Sequence, residues 1–64
     1  MEEFWQQTLQ KFKQQKHQRM GQLFMNELYA QRADLYTKVT GTDADTFYED
    51  WRLYLLRDWL TNNW

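Results

Sequence analysis

Apolar residues recur at intervals of three and four between Glu2 and about Gln31. Trp5, Leu9, Phe12, Met20, Leu23, Phe24 and Leu28 share one stripe of a helix. Gln10, Gln14, Gln18 and Gln22 form an i, i+4 row on another side, suited to water. Glu2 and Glu3 stand in the first turn, where the helix dipole favours negative charge. A single helix of roughly 28 residues would reach about 42 Å at 1.5 Å per residue. The pattern weakens from Lys13 to Arg19, a polar run with Lys16 at the stripe position. Either Lys16 lays its methylene stem along the stripe, or residues 1–18 project as a helical arm that offers Trp5, Leu9 and Phe12 to another molecule. Gly21 adds a soft spot of ~1 kcal/mol relative to alanine. One continuous helix, bent near Gly21, is the favoured reading.

Beyond it, Leu35 and Val39 are i, i+4 neighbours that predict a short linking helix, with Asp34 as its cap. Gly41 is placed to end that helix in a left-handed conformation. Between Thr42 and Glu49 several helix starts overlap, and Thr46 with Glu49 makes the capping-box pattern. The helix that follows is expected to reach about Asn62. With Phe47 at zero and 100° per residue, its apolar side chains fall on two arcs. Phe47, Tyr48, Trp51, Tyr54, Leu55 and Trp59 span about −20° to 120°. Leu53, Leu56, Leu60 and Trp64 span roughly 180° to 260°. If the first arc covers the core, the second faces outward and needs a partner, unless the N-terminal arm folds back and covers it within one compact three-helix body.

The residues Gly21-Gln22-Leu23-Phe24-x-Asn26-x-Leu28-Tyr29, Asp34-Leu35-Tyr36, Gly41-Thr42 and Asp45-x-Phe47-Tyr48-x-Asp50 resemble a class of short uncharacterised bacterial and phage proteins. The similarity covers roughly residues 19–60. Proline, frequent in that class at the positions of Ala33 and Thr46, is absent here. The resemblance implies a small helical domain of microbial or phage origin and brings no activity with it.

Composition narrows the fold to all-α. The chain has no proline, isoleucine, serine or cysteine and one valine, so strands and disulfides have little to build on. At 64 residues it makes one domain with a marginal core. The expected architecture is three helices, two long ones joined by a short one, either as a monomer or as a helical dimer. Residues 1–32 hold five cations against three carboxylates (+2), and residues 33–64 hold three against six (−3). That split serves docking of the two halves as well as an outside partner.

Candidate chemistry is sparse, and no enzyme activity or cofactor is expected. There is no serine or cysteine nucleophile, and His17 has no second histidine with which to share a metal. Asp43-x-Asp45 opens like a calcium loop, but Tyr48 stands where the turn glycine belongs and Tyr54 where the glutamate belongs. Lys11, Lys13, Lys16 and Arg19 are the candidate nucleic-acid contacts, against an overall pI of 5.7. The leading expectation is protein–protein interaction, with another protein or with a second copy. A phage-type inhibitor or adaptor of a host protein would work in this way. Its expected contacts are Leu53, Leu56, Leu60, Trp64 and Arg57, with Trp5, Leu9 and Phe12 on the arm, since Trp, Tyr and Arg are the usual anchors of interfaces. No membrane segment or leader is apparent, and a cytoplasmic location is expected.

Overall fold

The polar run between Phe12 and Met20 has no side chain to contribute to a core, and the chain turns there. A computed structural model describes residues 1–15 and 17–64, and every regular element among them is helical. Helix α1 spans Glu2–Gln14, α2 spans Met20–Gln31, α3 spans Ala33–Val39 and α4 spans Leu53–Asn63. A single 3-10 turn, Asp50–Arg52, leads into α4. The all-α expectation therefore holds, with four helices in place of three. The continuous first helix does not form. Gln15 leaves helical geometry at φ −132°, ψ 87°, and Arg19 re-enters as an extended N-cap at φ −68°, ψ 151°. Lys16, on which the snorkelling alternative turned, lies outside the described residues.

Breaking the helix lets α1 fold back along α2 and bury Phe4 and Trp5. Their rings meet Phe24 at centroid distances of 6.2 and 4.2 Å. A 42 Å rod would have had no such partner. The longest dimension of the molecule is 27 Å. Its radius of gyration of 10.5 Å matches the ~10.7 Å expected for a compact chain of this length. Among the described residues, α1 lies against α2 and does not project as an arm.

Helix α2 is the central element, with Leu23, Phe24, Met25 and Leu28 all buried. Helix α3 adds Leu35 and Val39, as their spacing predicted, and Gly41 follows at φ 84°. Asp34 does not cap α3. It forms a two-pronged pair with Arg32 at 3.0 and 3.1 Å.

The capping box at Thr46 is also overruled. Thr46 is fully buried and donates its hydroxyl proton to the Gly21 carbonyl at 2.9 Å. The segment before α4 is tied by other side-chain bonds of the kind that compete with helix formation. Asp45 accepts from the backbone of Gly41 and Phe47, while Thr42 donates to the Val39 carbonyl and accepts from the Ala44 amide. Helix α4 consequently starts at Leu53 and not at Thr46. Asp50, expected near the start of α4's own helix, instead accepts from the Gly21 amide at 2.9 Å and caps α2.

Candidate functional site

The final helix is apolar on two sides, and the structure buries the leucine side, the alternative in which the N-terminal segment folds back over it. Leu56 and Leu60 are 0% exposed, and Leu53 is half-buried against the same core. Trp64 packs on Phe4 at 5.3 Å, with the Arg32 guanidinium 5.0 Å from its ring. Leu53, Leu56 and Leu60 are shielded by the chain itself and form core and core rim, while Trp64 at the helix end stays 39% exposed. Unbranched and γ-branched aliphatic chains have nothing to gain from water. Tyrosine and tryptophan carry a polar tip and tolerate its edge.

The arm contacts are likewise internal. Trp5 is buried, Leu9 packs against the core and Phe12 is half-buried. Arg57 is exposed but engaged, donating to both Glu2 carboxylate oxygens and lying 5.6 Å from the Trp5 ring. It thereby fastens α1 to α4.

Open to water are Tyr48 at 81%, Trp51 at 61% and Tyr54 at 65% exposure from the first arc, and Tyr29 at 61% on α2, whereas Phe47, Leu55 and Trp59 of that arc pack against the core. Residues three apart eclipse one another in a 3-10 turn, so Trp51 and Tyr54 project from the same side of the junction with α4. Trp51 is held in place by its neighbours in the chain. Its indole N–H donates to the Glu49 carboxylate, and Arg52 sits 5.2 Å from its ring while bonding the same carboxylate at 3.1 Å. Phe47 meets Tyr48 edge to face at 5.0 Å.

Beside this face runs an open groove of about 380 Å³ between the loop after α3 and the outer side of α4. Ala44, Leu55 and Trp59 form its apolar part, and Asp43 and Asp58 its charged part. Helical angle grouped Tyr48, Trp51 and Tyr54 on one arc without saying whether it faced the core. For Tyr48 and Trp51 the available signal was their polar company, Tyr48-Glu49-Asp50-Trp51-Arg52, in which no aliphatic residue intervenes.

The basic segment is not a free cationic patch. Lys11 bonds Glu27 at 2.8 Å, and Arg19 bonds the Phe47 carbonyl and lies 3.9 Å from Asp50. Lys13 is exposed, and Lys16 is outside the described residues. Among the titratable groups, the guanidinium of Arg32 donates to Asp34 and holds that carboxyl below its ordinary value, while Arg32 itself is raised. This pair is structural, at the joint between α2 and α3. Among the described residues no three His, Asp or Glu side chains gather as a metal site requires, and no helix is long and apolar enough to cross a membrane. Compared with known proteins, the chain matches no family model, no curated protein and no solved structure.

Proposed function

We propose that this chain is a small helical interaction module that docks a partner protein through Tyr48, Trp51 and Tyr54. The observation that carries this is their exposure beside a core that has already buried Leu56 and Leu60 completely. A domain with material for a marginal core leaves three of its largest aromatic side chains in water. Large exposed aromatic patches mark contact sites, and tyrosine and tryptophan are the usual energetic anchors there. The anchoring of Trp51 by Glu49 and Arg52 lowers the entropy lost on binding. The form of binding is either inhibition or adaptation of a larger host protein or pairing with a second copy. A nucleic-acid accessory role is less well supported, because Lys11 and Arg19 already hold carboxylates.

The test compares wild type with Trp51→Ser/Tyr54→Ser, first by light scattering across concentration and then by capture of binding proteins from extract. The double variant should keep the wild-type fold and unfolding midpoint, because both side chains are exposed. It should lose, by tenfold or more in affinity, whichever complex the wild type forms. A complex that survives the double substitution intact would refute this face as the interface.

A further inference from the structure

Away from α4, aromatic side chains gather at a second place. A pocket of about 240 Å³ opens between α2, α3 and the loop that precedes α4, lined by Met25, Tyr36, Thr40, Asp45, Phe47 and Tyr48. That is below the ~300–1,000 Å³ of clefts that hold drug-sized ligands, so it suits one small group. Met25 is buried at its base, Tyr36 and Phe47 are half-buried against the core, and Tyr48 stands in water. Tyr36 meets Tyr29 at 5.0 Å and 69°, and Phe47 meets Tyr48 at 5.0 Å and 70°. Rings set so steeply to one another form corners, and their faces carry the negative part of the aromatic quadrupole.

Tyrosine hydroxyls apart, the polar side chains of the lining are already engaged within the chain. Thr40 donates its hydroxyl proton to the Tyr36 carbonyl at 2.6 Å. Asp45 accepts the Gly41 amide with one carboxylate oxygen at 2.9 Å and the Phe47 amide with the other at 3.0 Å. Its charge is thereby fixed in the wall, and no cationic side chain lines the pocket among the described residues. A primary ammonium is strongly hydrated and brings N–H donors that need acceptors here. A quaternary ammonium brings no donors. Its charge is spread over methyl groups that suit π faces and a thioether, and a nearby carboxylate attracts it by charge alone. A neutral apolar group gains nothing from Asp45, and an anion is repelled by rings and carboxylate alike.

We infer that this pocket binds the trimethylammonium group of a small molecule of the choline kind, with Tyr36, Phe47 and Tyr48 against its methyl groups and Asp45 as the counter-charge. The site goes beyond the interaction reading above and does not need it. Trp51 and Tyr54 take no part in it, and Tyr48 is common to both.

The probe is choline chloride, titrated into the labelled full chain by two-dimensional NMR at constant ionic strength. The Phe47 and Tyr48 amides and the Met25 methyl should shift along one saturating curve. Neohexyl alcohol has the shape of choline without its charge, and ethanolamine has the charge with N–H donors in place of methyl groups. Each should bind about fivefold more weakly than choline. Tyr48→Leu keeps apolar bulk at an exposed position and removes one π face, so it should weaken choline about fivefold and leave the neutral alcohol unchanged. Tyr36→Leu, at a residue outside the docking face, should do the same, with its amide spectrum reporting the fold. Equal binding of choline and the neutral alcohol, ethanolamine binding as tightly as choline, or no saturable shift at the pocket overturns the inference. The two readings fail separately, because Trp51→Ser/Tyr54→Ser should abolish the protein complex and leave choline binding as it was.

Discussion

At Gly21 a single missing methyl group decides whether the loop before α4 can close on α2. A Cβ there would lie 2.2 Å from the Thr46 carbonyl oxygen and 2.8 Å from Asp50 Oδ1. The first of these is backbone and cannot rotate away. Gly21→Ala is therefore expected to lose ~1–3 kcal/mol by overpacking, despite the ~1 kcal/mol that alanine gains over glycine in a helix. Urea unfolding measures it, and a variant more stable than wild type would show that Thr46 and Asp50 do not sit on α2. Asp34 makes a second claim at this scale. Its folded pKa is lowered from 3.8 by the hydrogen bonds from Arg32, so the unfolded chain binds the proton more readily. The pair's contribution is present in full above the ordinary aspartate value and is lost as pH falls through the lower folded value. A melting-temperature profile should fall in that acidic window and do so less steeply for Asp34→Asn. Identical profiles for the two proteins would remove the pair from the stability of the α2–α3 joint.

Element by element, periodicity was informative where helices pack on one side and misleading where they pack on two. Leu23, Phe24, Leu28, Leu35 and Val39 occupy the core positions their spacing requires, and Gly41 ends α3 at φ 84°. The break at 15–19 was visible as a polar run but competed with an unbroken helical count. What decides it is the gain from folding Phe4 and Trp5 onto Phe24, a tertiary contact that no local window contains. Phe4 and the buried Thr8, whose hydroxyl donates to the Phe4 carbonyl, lay off the stripe for the same reason. The start of α4 shows local preference yielding to long-range bonding, since Thr46 bonds a residue 25 positions away and gives up its capping role. For α4, angle alone could not say which arc faced in. Leu60→Ala checks the outcome: a fully buried leucine should cost ~2–5 kcal/mol in urea, about four to ten times the upper bound for an exposed site. A loss below 0.5 kcal/mol would return the leucine arc to the surface.

The whole molecule separates two kinds of attraction, and salt distinguishes them. Among the described residues its opposite charge halves meet through Arg19–Asp50, Arg32–Asp34 and Glu2–Arg57, while Lys11–Glu27 and Glu49–Arg52 lie each within one half. All five are partly exposed pairs, of a kind that contributes little to stability. Against them stands a core that includes Phe4, Trp5, Phe24, Leu28, Leu35, Leu56 and Leu60, each adding ~1.5–3 kcal/mol by burial. Raising sodium chloride from 50 mM to 1 M shortens the screening length to ~3 Å. The fold should therefore lose no more than ~2 kcal/mol, because dry apolar contacts are indifferent to that change. Urea melts run at both salt concentrations on one preparation measure the loss directly. A chain that unfolds at 1 M salt would make ion pairing, and not the core around α2, the force that holds this small body together.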